Sequence, residues 1–495
     1  MTLTQVPVKR LPPERFASII PPDHFERFQA SIEEAQRMLE GRVVWNINST
    51  AKGGGVAEML RSLLAYSRGA SVDARWLVIS GTSDFFRVTK RIHNHLHGAP
   101  GDGGPLGDEE RRIYEETLES NMQELQELVE PDDVVLLHDP QTAGLTKAFR
   151  DKDPCVIWRC HVGLDMANDL ARGAWRFLVP YVDEADAYIF SRRSFSWDML
   201  DPQKTTIIPP SIDAFSAKNQ DMDEGTTHAI LAVSGIIDER NDGASTFTRE
   251  DGSPGRVVRR TQMFDGGDPP PPGAPLVVQV SRWDRLKDPI GVLEGFAQHI
   301  APNGDAHLIL AGPSVEAVAD DPEGAEVLHE ARATWDALPD EVAARVHLAC
   351  LPMEEGEENA AIVNALQRRA DVVVQKSLAE GFGLTVAEAM WKARPVVASR
   401  IGGIQDQIVH EETGLLLDDP KDLAAYGKAV WGLLADRDRA RRLGEQAQSR
   451  VRNEFLGPRH LMQYVDLIER LISGRSATSG GPPVHDRLSG TTGSR

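Results

Sequence analysis

Short apolar runs punctuate this chain, and the stretches between them carry apolar residues three and four positions apart. Runs at 43–47, 76–79, 134–137, 156–158, 187–190 and 206–208 have the length and the β-branched or aromatic content of buried strands. After the first of them, Val56, Met59, Leu60, Leu63 and Leu64 fall on one stripe, so residues 56–66 read as an amphipathic helix. The rhythm breaks over residues 216–275, which end in a proline-rich spacer at 265–272. It restarts with runs at 276–280, 307–311, 346–349, 372–374, 396–398 and 415–417. Strands alternating with helices predict parallel sheets, so the fold class is α/β, with two such domains in series.

The pattern places a polar extension at 1–40, with a helix around 24–39, before a first α/β domain at 41–215. An irregular insertion or linker follows at 216–275, then a second α/β domain at 276–455. A helix at 456–473 is expected to pack back on the N-terminal domain, and the Ser/Gly/Thr-rich residues 474–495 to form a disordered tail.

Bulk chemistry narrows the function. The net charge of −21 over 495 residues argues against a nucleic-acid or anionic-membrane partner, so an anionic ligand needs local cations. With 41% hydrophobic residues and no apolar run of about 18, a membrane span is not expected. The first residues lack an apolar signal core, which points to a cytoplasmic protein. Three cysteines make neither a disulfide framework nor a zinc set; Cys155 and Cys160 lie roughly 16 Å apart along one strand.

The most informative stretch is Glu380-Gly-Phe-Gly-Leu-Thr-Val-Ala-Glu388. Gly381 and Gly383 permit close backbone approach to a ligand, and the helix expected from Leu384 to Ala393 aims its positive end at it. Phosphate suits those N–H groups, and sugar or ribose hydroxyls suit the two carboxylates. Arg282 and Lys287 follow the strand at 276–280, at the carboxyl end where α/β sheets bind ligands. A guanidinium and an ammonium there can neutralise a departing diphosphate, although a solvated charged loop has the same composition. Gly53, Gly54 and Gly55 offer a weaker anion loop, since neither a Walker lysine nor the dinucleotide spacing is present. His138-Asp139-Pro140-Gln141 and Arg159-Cys160-His161 end two successive strands, and Asp139, Gln141 and His161 suit sugar hydroxyls. His93, His95 and His97 lack a nearby acid to complete a metal set and read as part of a solvated segment.

These residues carry a resemblance. The chain resembles retaining glycosyltransferases of the GT-B kind, two Rossmann-like domains facing across a cleft, in the glycogen-synthase and sucrose-synthase-like group. More narrowly it is similar to the trehalose glycosyltransferring synthases. The matching wording is Asn48-Ser-Thr50, Gly53 to Glu58, Phe85-Phe86, Val88-Thr-Lys90, His138 to Gln141, Trp158 to His161, Pro209 to Asp213 and Glu380 to Lys392. Asp406 departs from the wider group, which often has Glu after the Gly402-Gly403 pair, and residues 225–275 look expanded.

The resemblance implies a retaining transfer of glucose from a nucleoside-diphosphate-glucose to free glucose, giving trehalose. Arg282, Lys287, Glu380 and His161 would be catalytic. Donor contacts would come from Gly54, Gly55, Arg282, Lys287, Glu380, Gly381, Phe382, Gly383, Leu384, Thr385 and Glu388, with Glu388 on the ribose. Asn48, Asp139, Gln141 and His161 would hold the acceptor. No residue is marked as a nucleophile, so front-face transfer is expected, with the leaving phosphate taking the acceptor proton. No tightly bound cofactor and no protein metal site are expected, though magnesium is compatible with a leaving diphosphate. A homodimer is the expected assembly. A trehalose phosphorylase using glucose 1-phosphate and a non-catalytic nucleotide-sugar binder are the alternatives.

Overall fold

The computed structural model describes residues 2–51, 54–149, 152–238, 243–264, 268–271, 273–314 and 322–479. Its first sheet contains β1 (Leu3–Val6), β2 (Val44–Asn48), β3 (Ala74–Ile79), β4 (Val134–His138), β5 (Cys155–Cys160), β6 (Ala187–Phe190) and β7 (Thr205–Ile207). They are ordered β1-β3-β2-β4-β5-β6-β7. All neighbours are parallel except β1, which joins β3 antiparallel at the edge. Every residue of β2, β4, β5 and β6 is buried, as expected when helices cover both faces of a parallel sheet. Chain direction along the sheet reverses between β2 and β4, so a crevice opens beyond their carboxyl ends.

A hairpin of β8 (Thr246–Thr248) and β9 (Pro254–Arg256) precedes the second sheet. That sheet comprises β10 (Gln262–Met263), β11 (Leu276–Val280), β12 (His307–Pro313), β13 (Val346–Leu351), β14 (Val372–Gln375), β15 (Val396–Ser399) and β16 (Leu415–Leu417). Its order is β10-β13-β12-β11-β14-β15-β16, parallel apart from the β10 edge. Here the reversal falls between β11 and β14. Each apolar run of the sequence forms a parallel strand. The two antiparallel edge strands, β1 and β10, are too short and polar to announce themselves.

The described residues of 216–275 are more ordered than expected. Asp223 caps a helix at Glu224–Val233, accepting the Thr226 N–H at 2.8 Å. Asn364 on the Gly356–Arg369 helix then donates to the carbonyls of Ala217 (3.1 Å) and Gln220 (2.9 Å). The Glu358 carboxylate takes the N–H groups of Val258 and Arg259, both at 2.7 Å. Partners distant in sequence therefore supply the order that local composition does not. Within the expected proline-rich spacer at 265–272, residues 265–267 and 272 lie outside the described residues.

The final helix, Gly457–Ser479, packs against the Pro22–Met38 helix, and its Leu467 and Ile468 join a buried cluster with Val44, Val134 and Ile157. Arg159 of β5, fully buried, donates to His460 of this helix at 2.7 Å and to the Ile208 carbonyl at 3.0 Å. The helix also runs past Gly474, where the sequence suggests a disordered tail. Arg475 explains the extension: it donates to the Asp153 and Pro154 carbonyls (2.6 and 3.0 Å) and grips the Asp186 carboxylate at 2.7 and 2.8 Å. The rest of that expected tail, 480–495, lies outside the described residues. Since Leu467 fills a closed contact under the first sheet, Leu467→Ala should lower stability by about 3 kcal/mol in urea unfolding. An unchanged midpoint would mean the helix is only loosely laid on that domain.

Candidate active site

The second domain's reversal point assembles a charged turn. β11 ends in the loop carrying Arg282 and Lys287, and β14 leads into Glu380. The Leu378 N–H donates to the Leu286 carbonyl at 2.7 Å, which sets the spacing between the two loops. Gln279 holds the Lys287 carbonyl at 2.7 Å. Between these ties, the Lys287 ammonium meets the Glu380 carboxylate at 2.5 Å, both side chains being largely buried. Arg282 reaches Asp284 at 2.8 Å while its side chain stays 58% exposed.

Beyond Glu380, Gly383 takes φ +84° and starts the Leu384–Trp391 helix, which stops short of the Ala393 end that the sequence suggests. A second glycine turn backs the first. Gly402 has φ +44°, and a Cβ there would stand 1.8 Å from the Glu380 carbonyl oxygen, so only glycine fits. The Gly403 N–H donates to the Gly381 carbonyl at 2.9 Å, and the Gln407 amide donates to the Phe382 carbonyl at 2.5 Å.

The first domain contributes the ends of β4 and β5. His138 is buried, with Nε2 on the Asn46 amide oxygen at 3.1 Å and Nδ1 on His161 Nε2 at 3.3 Å; the two rings stack at 5.6 Å. Burial, with Arg159 nearby, holds His138 down to about 3 and His161 well below the usual imidazole range, so both rings are neutral. Asp139 adopts φ +66°, a left-handed conformation that Asp tolerates, before Pro140 opens the Asp139–Thr142 helical turn. Its carboxyl group accepts the His161 N–H at 2.8 Å, and burial pushes its pKa up to about 7.

The two halves meet. A Cβ on Gly381 would lie 3.0 Å from the His161 carbonyl oxygen, and one on Gly55 would lie 2.7 Å from Leu384 Cδ1. Beside this seam, Arg192 of the first domain donates to Asp165 and to the Gly402 carbonyl, both at 2.6 Å, and pairs with Asp406 at 3.1 Å. Asp165 in turn accepts the Gly402 N–H at 3.0 Å. The shorter acid at 406 is therefore engaged in the contact between domains. On the other flank Lys218 bridges Glu58 (2.7 Å) and Glu388 (3.5 Å).

Comparison with known proteins fits this arrangement. A family model described as "Trehalose synthase, N-terminal domain" matches residues 46–197, and "Glycosyl transferases group 1" matches 265–450. A trehalose synthase of Rubrobacter xylanophilus is 35% identical over 449 residues, covering 89% of this chain and 93% of that protein. The chain belongs to the trehalose synthase family. As such it is a hexosyltransferase with the GT-B fold. A trehalose phosphorylase of Pleurotus pulmonarius is more distant, 25% identical over 486 residues, 94% of this chain but 62% of the phosphorylase. The fold also matches a UDP-forming α,α-trehalose-phosphate synthase from Burkholderia vietnamiensis, with TM-score 0.63, 15% identity, and coverage of 87% and 98% of the two chains.

Not every residue expected at the site faces it. Lys287, Glu380, Gly381, Gly383 and the His161 carbonyl come together, with Arg282 on the Lys287 loop, Leu384 against Gly55 and Thr385 one residue further on. Gln141 lies half-buried on the turn after Asp139. Phe382, by contrast, sends its ring into the core, 5.8 Å from Phe455, leaving only its backbone to a ligand. Asn48 is buried with its amide spent on the scaffold, accepting from Trp76 at 2.8 Å and donating to the Thr50 carbonyl at 2.7 Å. Glu388 is 1% exposed, beneath Lys218. Gly54 has φ +78° at the start of the Gly54–Gly69 helix, and Gly53 lies outside the described residues. The reading of His93, His95 and His97 as solvated is corrected: the Ser83–Leu96 helix is amphipathic, and His95 is buried while His93 and His97 turn toward the seam. Their alternation suggests a solvated segment; helical spacing is the signal, putting His93 and His97 one turn apart.

Asp139 gives a pH prediction. Unfolded, it ionises near 3.8; folded, near 7. Between those values the folded state holds the extra proton, so this group's contribution to stability falls as pH rises and levels off above 7. Asp139→Asn should remove that slope, worth roughly 4 kcal/mol at most. Urea unfolding of both proteins from about pH 4 to 8 measures it, and parallel stability curves would contradict the burial argument.

Proposed function

We propose that the protein transfers glucose from a nucleoside-diphosphate-glucose to free glucose, forming trehalose with retention. The observation that carries this reading is the Lys287–Glu380 pair beside the glycine turn at one sheet's reversal point, with Arg282 on the same loop as Lys287. Positive charge and turn N–H groups there suit a diphosphate. Lys287, held by Glu380, would follow the β-phosphate as charge builds on it, while Arg282 swings in from its more exposed position. Glu380 would then take hydroxyls of the donor glucose. Glu388 Oε2 is buried without a hydrogen-bond partner among the described residues, and burial keeps its pKa raised against the pull of Lys218. A ribose O–H would satisfy that oxygen once Lys218 is drawn aside.

Among the described residues no side chain stands out as a nucleophile, so the geometry suits front-face transfer. In that scheme the bond from the anomeric carbon to the phosphate oxygen breaks, the acceptor hydroxyl attacks from the same face, and its proton passes to the leaving phosphate. The protein's share is placement and preorganised charge. Neutral His138 and His161 keep further positive charge away from an oxocarbenium-like centre. The contact between domains through Arg192 would exclude water that otherwise hydrolyses the donor.

Product analysis with glucose and a panel of nucleotide-glucoses tests the reading directly. Trehalose and a nucleoside diphosphate are the expected products; trehalose formed only from glucose 1-phosphate would replace it with the phosphorylase. Arg282→Ala and Lys287→Ala should each cost roughly 3 kcal/mol of barrier, about 100-fold in kcat. A wild-type kcat in either variant would remove that residue from the mechanism.

A further inference from the structure

We propose that His93 and His97 form a wall of the acceptor subsite and hydrogen-bond the hydroxyls of an uncharged hexose. This rests on the transfer reading above and adds residues to its acceptor side. The two rings sit one helical turn apart, edge to face at 4.9 Å, at the end of the Ser83–Leu96 helix. In each, Nδ1 is buried and has no hydrogen-bond partner among the described residues. His138 and His460, by contrast, are satisfied on both nitrogens, the first by Asn46 and His161, the second by Arg159 and Ser211. A buried polar atom with no partner is costly unless a ligand supplies one.

Their surroundings fix which ligand. His97 lies beside the Gly163 backbone, two residues along the chain from His161, and feels Glu380, Lys287 and Asp284 across the seam. His93 feels Arg282 there, with Lys90 and Asn94 of its own helix beside it. The pair therefore looks onto the donor turn from the first domain. Gly98, at φ +78°, follows the helix, and Asn168 pins its carbonyl at 2.8 Å, so the rings stand on a fixed stop. Burial pushes His93 down to about 3 and His97 to about 4, leaving neutral rings. A neutral imidazole exchanges single hydrogen bonds with hydroxyls and offers a phosphate no charge.

The test uses the full chain with His93→Ala, His97→Ala and His97→Asn, the last keeping a polar atom near the site of Nδ1. Steady-state transfer should show the glucose KM raised about tenfold or more in the alanine variants, as loss of one hydrogen bond predicts, with the donor KM within about twofold. His97→Asn should recover most of the loss. Saturation-transfer NMR of glucose on the protein saturated with ADP or UDP reads the same contact without turnover. Signal in the wild type and its loss in the alanine variants support the proposal, even if no nucleotide-glucose is turned over and the transfer reading itself fails. A wild type with no glucose signal, variants with an unchanged signal or glucose KM, or a parallel loss of nucleotide binding would overturn it.

Discussion

The ion pair between Lys287 and Glu380 is the constraint on which the site depends. Each group belongs to a different loop, one after β11 and one after β14, and neither is well solvated. A buried charge left alone is expensive, so in the absence of ligand each holds the other in place. An incoming diphosphate gives Lys287 a second anion, and a glucose hydroxyl gives Glu380 a neutral donor. Ligand binding can then redistribute the pair's contacts without stranding either charge. The glycine turn at 402–403 is what keeps Glu380 there, since a Cβ at 402 would collide with its carbonyl.

Topology does the positioning. In each sheet the chain reverses direction at one place, between β2 and β4 in the first and between β11 and β14 in the second. Those reversals set crevices at the strand carboxyl ends. The crevices face each other, as the approach of the His161 carbonyl to Gly381 shows. Arg192, Asp165 and Asp406 fasten the domains on one flank, and Lys218 with Glu58 and Glu388 fastens the other. A strongly acidic protein thus sets Arg192, Lys218 and Lys287 where its two domains meet.

Much of this is legible in the sequence because parallel strands, buried on both faces, leave uninterrupted apolar runs. The Glu380 to Glu388 element is legible for a different reason: glycine and acid at fixed spacing mark a backbone turn whatever surrounds it. What stays hidden depends on partners far away in the chain. The sequence of 216–275 looks irregular, yet Asn364 holds the Ala217 carbonyl and Glu358 the Val258 N–H within it. Asn48 matches its motif, yet Trp76 and Thr50 consume its amide. Phe382 sits inside a ligand-binding turn but its ring belongs to the core. His93 and His97 escape a reading of the sequence because alternation hides a helical face, and their neighbours across the seam come from the other domain.

Calorimetric titration of a nucleoside diphosphate against the corresponding nucleoside, using the base the protein accepts, tests the central claim that charge at the domain seam holds the diphosphate. The account predicts that the diphosphate binds at least about 100-fold more tightly and that the advantage shrinks as salt is raised. Equal affinity for the two would contradict it.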